Sequence, residues 1–333
     1  MAIKIFASND IGADTRYSSS NGDWVTVNTG IVVAATNGDY ALDGTGASNF
    51  LISGTVAGGS GGMFIQGGVE PGNVIHVTET GSVTGQIAMN VSGPKSTVLN
   101  DGYIGGGTFG LAMTGESTVS RSILVNTGLI SGQMAVTRNL FGELEAFVLR
   151  NAGTIVGRDF AFTGGNSIDR VNNTGEIVGV VDLRNGDDVY RGAKGALDGP
   201  IYGGGGNDKI ICGDDDDLID GGLGHDILAG GQGEDTFFFD FSINDIDKIR
   251  DFSVKDDTIA LSASSFGLPL ELTSEMLVSN KTGKAAEADD RIIYQSTTGD
   301  IYFDADGKGG ESSRLFVSID KGLKLSIDDF EVF

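Results

Sequence analysis

GGGGNDKII CGDDDDLID GGLGHDILA GGQGEDTFF, residues 203–238, is a run of four nonapeptides joined without a gap. The sixth place is aspartate each time: Asp208, Asp217, Asp226 and Asp235. The eighth is large and apolar: Ile210, Ile219, Leu228 and Phe237. Glycine holds the first, second and fourth places as Gly203, Gly204 and Gly206, as Gly221, Gly222 and Gly224, and as Gly230, Gly231 and Gly233. The second unit departs, with Cys212 first, Gly213 second and Asp215 fourth. Gly205, Asp214 and Leu223 stand at third places.

A nine-residue period suits a short strand and a tight turn. Glycine permits positive φ and a close approach of backbone to an ion. The apolar eighth residue points inward from its strand, because alternation selects one face. If two units make one coil, Asp208 lies over Asp226 and Asp217 over Asp235. Strands stack about 4.8 Å apart. Carboxylates that close repel by about 3 kcal/mol at an effective dielectric of about 20. A dication between them reverses the sign, and calcium prefers carboxylate and carbonyl oxygens in flexible geometry. A Gly/Asp-rich solvated linker has no reason to keep an apolar eighth residue in phase. In the second unit, Asp215 either adds a ligand or distorts the turn.

The 333 residues leave room for two domains or one long solenoid. With 54 glycines but 4 prolines, collagen and proline-rich disorder are disfavoured. The net charge of −24 is uneven: residues 1–181 carry −6 and residues 182–333 carry −18. That field argues against nucleic acid and anionic membrane surfaces as partners and suits divalent cations. A single cysteine allows no intrachain disulfide. No apolar run reaches the length of a membrane span, and the start, MAIKIFASNDIGAD, has none of signal-peptide length. Millimolar calcium nevertheless places the motif outside cells.

Residues 1–181 carry a looser repeat whose kernel is apolar, Asn, any residue, Gly, any residue, apolar. Its copies are VNTGIV (27–32), LNDGYI (99–104), VNTGLI (125–130), LRNAGTIVG (149–157) and VNNTGEIVG (171–179), with weaker ones at 51–58 and 77–85. The kernel glycines, Gly30, Gly54, Gly81, Gly102, Gly128, Gly153 and Gly175, recur with a period near 24 residues. That period and the short alternating strands predict a parallel β-helix. Asn28, Asn100, Asn126, Asn151 and Asn173 each precede a kernel glycine by two places and predict a structural ladder rather than a ligand site. Segments 57–73 and 137–147 read as loops or bulging strands.

AIKIF near the start reads as a strand that begins or caps the solenoid. LRNGDDVYR (183–191) reads as a degenerate first nonapeptide with Gly186, Asp188 and Tyr190 in phase, and 192–202 as an expanded unit. The two repeat types are expected to join in one stack of strands. After Phe238, the block D-x-I-x-D-F at 247–252, with Asp257 and Ile259, reads as a closing coil. A short helix is predicted around 273–277. Strands 291–296 and 300–304 form a hairpin about Thr298-Gly299. Asp304, Asp306 and Gly307 make either a further ion site or a solvated turn.

The phased nonapeptides, the D-x-I-x-D-F block, TTGDIYFDADG and the terminal DDFEVF together resemble RTX, or haemolysin-type calcium-binding, proteins over residues 183–333. The resemblance implies a parallel β-roll with calcium in its turns. It implies type I export from a Gram-negative cell, guided by an uncleaved C-terminal signal, and thus a secreted, extracellular protein. It also implies side-chain ligands Asp208 with Asp226 and Asp217 with Asp235, with Asp188 and Asp247 at the ends of the row. Carbonyls of the first four places complete the shells: Gly203 to Gly206, Cys212 to Asp215, Gly221 to Gly224, and the matching turn at Gly230, Gly231 and Gly233.

The expected fold is therefore all-β. A right-handed parallel β-helix (1–181) runs into a calcium-binding parallel β-roll (182–260) and ends in a β cap that carries the export signal (261–333). No HExxH occurs, which disfavours the protease branch. The leading functional expectation is a non-enzymatic secreted calcium-binding solenoid with an adhesin, surface or matrix role, whose roll folds when calcium arrives. The alternative is a polysaccharide lyase or epimerase on the β-helix. Such an enzyme needs an acid and a base in a groove. The N-terminal part offers His76, Lys95, Arg121, Arg138, Arg150, Arg158 and Arg170. Arg138, Arg150, Arg158 and Arg170 either line one face or are scattered solubilising charge. His225 reads as an exposed turn residue.

Overall fold

The computed structural model describes residues 2–20, 22–46, 48–67, 72–114, 121–138, 146–240, 245–310 and 312–333. It is nearly all-β and a parallel β-solenoid. The chain divides into two compact units, one of residues 1–185 and 194–199, the other of 186–193 and 200–333.

In the first unit one parallel sheet stacks Ile3–Phe6, Trp24–Val27, Asn49–Ile52, Val74–Val77, Thr97–Asn100, Arg121–Asn126, Ala146–Asn151 and Asp169–Asn173. A second stacks Asp10–Gly12, Val32–Ala35, Thr55–Gly58, Ser82–Ser92, Tyr103–Thr114, Leu129–Arg138, Thr154–Thr163, Glu176–Asp182 and Ala196–Asp198. Alternation turns one residue of each pair inward. Val25, Phe50, Ile75, Val98, Leu124, Leu149 and Val171 stand in one buried register column. Val56, Val83, Ile104, Ile130, Ile155 and Ile177 face them from the second sheet. Each such side chain contributes about 1.5–3 kcal/mol on burial.

The asparagine ladder is present. Asn100 Nδ2 donates to Asn126 Oδ1 at 2.7 Å, Asn126 to Asn151 at 2.8 Å, and Asn151 to Asn173 at 2.8 Å. Asn28 is not in it. The residue of its coil in that column is Val27, followed by Ile52 and Val77, so Asn28 falls one place beyond and is exposed. The kernel glycines of the ladder coils are needed for closeness. A Cβ on Gly128, Gly153 or Gly175 would run into the carbonyl of the kernel glycine one coil earlier.

Segment 57–73 is not a plain loop. Gly61–Gln66 is a strand paired with Tyr40–Thr45 and Ser82–Ser92, while 68–71 lie outside the described residues. Most of 137–147 also lies outside them. The four arginines do not share a face. Arg138 is 3% exposed, its Nη1 2.5 Å from Asp169 Oδ1. Arg150 and Arg170 belong to the first sheet, and Arg158 to the second, where it donates to Gly107 O at 2.8 Å.

In the second unit Val189–Arg191, Lys209–Ile211, Ile227–Ala229 and Asp247–Ile249 form one parallel sheet. Ile201–Tyr202, Leu218–Asp220, Thr236–Phe239 and Thr258–Leu261 form the other. The eighth-place residues all point inward: Tyr190, Ile210, Leu228 and Ile249 from one sheet, Ile201, Ile219, Phe237 and Ile259 from the other, each fully buried. The C-terminal segment then supplies one further strand to each sheet. Arg314–Ser318 pairs with Asp247–Ile249, and Phe330–Val332 with Thr258–Leu261. The hairpin is Ile292–Gln295 with Asp300–Phe303, antiparallel, with Gly299 at φ +93°. A 3-10 turn occupies Ser274–Met276. A one-turn helix, Ala263–Phe266, was not expected, and it sets Phe266 edge-on to Phe303 and Phe316 at 5.1 and 5.3 Å.

Candidate metal centre

The sixth-place aspartates fall into two columns, one beside each sheet. In the first, Asp188 N–H donates to Asp208 Oδ1 at 2.7 Å, Asp208 N–H to Asp226 Oδ1 at 2.7 Å, and Asp226 N–H to Asp247 Oδ1 at 2.9 Å. In the second, Asp217 N–H donates to Asp235 Oδ1 at 3.0 Å, and Asp235 N–H to Asp257 Oδ1 at 3.3 Å. Residues 18 apart within the repeats are thus vertical neighbours. Each carboxylate takes the backbone N–H of the coil before it with one oxygen.

The other oxygen is the informative one. Oδ2 of Asp208, Asp226 and Asp235 is buried without a hydrogen-bond partner. In each unit it lies against the first-place glycine, Gly203, Gly221 or Gly230, where a Cβ would collide with it. The second unit differs here: Cys212 is buried at the first place, and Asp217 Oδ2 accepts from Gly213 N–H at 3.3 Å. Burial also pushes the Cys212 thiol up, helped by Asp217, Asp235 and Asp251.

The turns are left-handed where the pattern demands it. Second places Gly204, Gly222 and Gly231 have φ of +98°, +88° and +110°, and fourth places Gly206, Gly224 and Gly233 have +134°, +137° and +122°. Gly186 has +142°, and Arg184, at the second place of the degenerate unit, is forced to +72° without glycine's freedom. Asp215 does not adopt positive φ, so its unit turns differently. Gly205 and Leu223 form a parallel bridge. Carbonyls of Gly204, Gly205, Gly213 and Leu223 each accept one inter-coil N–H, which leaves each a second lone pair.

Burial makes these acids reluctant to ionise. It pushes Asp208 and Asp217 up to about 6, and Asp235 and Asp247 to about 7, with neighbouring carboxylates adding to the rise. Asp226, between Asp208 and Asp247, reaches about 8. Burial also raises Asp257 and Asp251, and the latter accepts from Gly230 N–H at 3.2 Å. Among the described residues no three His, Cys, Asp or Glu side chains converge as a metal cluster. A shell of one or two carboxylates completed by turn carbonyls needs no such cluster. The orphaned oxygens and the glycine cradles therefore fit a hard dication.

Asp214 and Asp215 are exposed, and Asp214 is held by Gln232 Nε2 at 2.8 Å. A second ladder runs outside the first and was not anticipated. The fifth-place side chains Asp187, Asn207 and His225 accept, in turn, the N–H of Asn207, His225 and Ile246 at 2.8, 3.0 and 3.1 Å. On the other edge Asp216 accepts from Glu234 N–H at 2.8 Å. The signal was legible, since the fifth place of each nonapeptide, Asp187, Asn207, Asp216, His225 and Glu234, is polar. The Asp304 turn is closed by its own backbone, Asp306 N–H to Asp304 Oδ1 at 3.3 Å and Gly310 N–H to Asp306 Oδ2 at 2.9 Å.

Residues 201–237 match the family model of the RTX calcium-binding nonapeptide repeat, in four copies. This repeat family binds calcium and forms β-rolls. No curated protein matches the chain.

Proposed function

We propose that this is a secreted calcium-binding solenoid protein whose roll folds when calcium arrives after type I export. Asp188, Asp208, Asp226 and Asp247 serve one edge, and Asp217 and Asp235 the other. Carbonyls of Gly203 to Gly206, Cys212 to Asp215, Gly221 to Gly224, and Gly230, Gly231 and Gly233 complete the shells. Bound calcium supplies the positive charge that the columns lack. Residues 1–181 act as a β-helix module for surface, adhesion or matrix contact without catalysis, 182–260 as the calcium roll, and 261–333 as cap and export signal.

One observation carries this reading: buried carboxylate oxygens without a donor, stacked under glycine turns. Metal-free, such a stack is self-repelling, and the free energy of binding becomes free energy of folding. In the calcium-poor cytosol that keeps the segment exportable. The decisive experiment is circular dichroism in calcium and in chelator. Loss of strand signal in chelator supports coupled folding, and an unchanged spectrum removes it. For the β-helix, the separation of Arg150, on the first sheet, from Arg138 and Arg158, on the second, argues against a catalytic groove built from them. Sustained cleavage of an acidic glycan by the purified protein would overturn that part alone.

A further inference from the structure

The first coil of the first unit departs from the coils that follow it. In one sheet Lys4 is in register with Val25, at the head of the inward column that runs on through Phe50 and Ile75. In the other Asp10 is in register with Val33, at the head of the column that runs on through Val56 and Val83. Val25, Val33, Val56, Ile75 and Val83 are fully buried. Lys4 Nζ reaches over the end of the core, 4.5 Å from the centre of the Phe6 ring and 5.7 Å from that of Tyr17. Asp10 Oδ1 accepts from Arg16 Nε and Nη2 at 2.9 and 2.7 Å. The Arg16 guanidinium lies against Gly12, where a Cβ would collide with it, and Gly12 is in register with buried Ala35. Two cations and one anion thus stand where a further layer of side chains would pack.

The sheet edges they guard are open. Among the described residues Ile3–Phe6 pairs only with Trp24–Val27, Asp10–Gly12 only with Val32–Ala35, and Tyr17–Ser19 only with Tyr40–Thr45. Trp24 N–H donates to Ala2 O at 2.9 Å and Asn28 N–H to Phe6 O at 3.2 Å. Alternation then turns the N–H and C=O of Ile3 and Ile5 to the open side. Such a row templates pairing with another chain. Apolar side chains add to the hazard, since Ile3, Ile5 and Ile11 are 71%, 56% and 58% exposed.

We propose that Lys4, Asp10 and Arg16 form a charged plug that keeps this coil from stacking on the same coil of a second copy. Stacked, they would lie as deep as Val25 and Val33, and burying charge costs more than the apolar contacts around it return. In a two-fold contact each copy presents the same surface. Lys4 and Arg16 outnumber Asp10, so the two plugs also repel. Inward-pointing charge is one of the devices that blunt a sheet edge.

Giving this coil the residues of the next one tests the plug. Arg16 N–H donates to Ala41 O at 3.0 Å, and Tyr17 is in register with Leu42, so Ala41 is the counterpart of Arg16. The Lys4→Val, Asp10→Val, Arg16→Ala variant therefore copies Val25, Val33 and Ala41. In sedimentation velocity with calcium present, its mass should rise with concentration to twice that of the wild type. The Ile3 and Ile5 amides, fast in hydrogen exchange of the wild type, should become protected as the variant associates. A variant that keeps the wild-type mass overturns the proposal, and so does a wild type that already protects those two amides. The Asp14→Val, Asp39→Val variant alters exposed turns instead and should keep the wild-type mass. Equal association there would make the effect general stickiness and overturn the plug. Should the triple variant fail to fold, Lys4→Val decides by the same two measurements, with Lys4→Arg expected to stay at the wild-type mass.

Discussion

Two columns of buried polar side chains, one in each unit, differ by a single functional group. Asn100, Asn126, Asn151 and Asn173 run down the first unit; Asp188, Asp208, Asp226 and Asp247 run down the second. A side-chain amide both donates and accepts, so each asparagine donates to the next, and only Asn100 Oδ1, at the head of the ladder, is left without a partner. A carboxylate only accepts. Each aspartate takes a backbone N–H with one oxygen and strands the other, at Asp208, Asp226 and Asp235. The asparagine ladder is therefore satisfied by protein at every step between its members, while the aspartate columns need protons or cations to offset their stranded oxygens.

Calcium removal should separate the two most sharply. In chelator, limited proteolysis and hydrogen exchange should open residues 186–191 and 200–261 while the sheets of residues 3–182 stay protected. Equal protection of both regions breaks the comparison. Next in size is Asp226→Ala, which removes the middle of a column. The calcium midpoint for folding should rise about ten- to a hundredfold, on the roughly 1–3 kcal/mol that losing a buried charged partner costs. Asp187→Ala, which touches only the outer ladder, should change it less. Equal shifts would mean that the sixth place holds no special role.

Asn126→Ala strands Asn151 Oδ1, leaves Asn100 Nδ2 with only the Leu129 carbonyl, and should cost the first unit about 1–3 kcal/mol, read by thermal unfolding. That loss should be the same with calcium or chelator, and a calcium-dependent loss would blur the distinction between the columns. The pH response should also differ. In the metal-free roll the carboxyls of Asp208, Asp217, Asp235, Asp247 and Asp226 stay protonated up to about 6, 6, 7, 7 and 8 in the folded state. The unfolded chain releases those protons near pH 4. The folded state binds more protons across that window, so stability in chelator should fall as pH rises from about 4 to about 8. Thermal midpoints in chelator at pH 5 and pH 8 check the sign. Smallest is Cys212→Gly, which restores the cradle of the second unit and frees Asp217 Oδ2 from Gly213. Calcium affinity should tighten a few-fold by titration calorimetry.

The sequence was most readable where the period was strict. Sixth and eighth places could be assigned one by one, because nine residues per unit leave no register to choose. Asn28 matched its kernel yet missed the column, since a coil with one extra residue before its glycine looks the same in sequence. The arginines misled for a related reason. Strands Leu129–Arg138 and Thr154–Thr163 carry register shifts after Gly132 and Val156, and alternation cannot be counted through a bulge. Arg138, a charge that reads as surface, ends buried against Asp169. The helix Ala263–Phe266 is a single turn, too short to show a helical period.

Because vertical neighbours in the roll are 18 residues apart, an engineered lengthening has a quantum. Inserting one nonapeptide would send every downstream aspartate to the opposite edge and present Asp247 to the wrong file. Inserting two preserves handedness of edge and partner alike, so this scaffold can be extended in pairs of units but not singly.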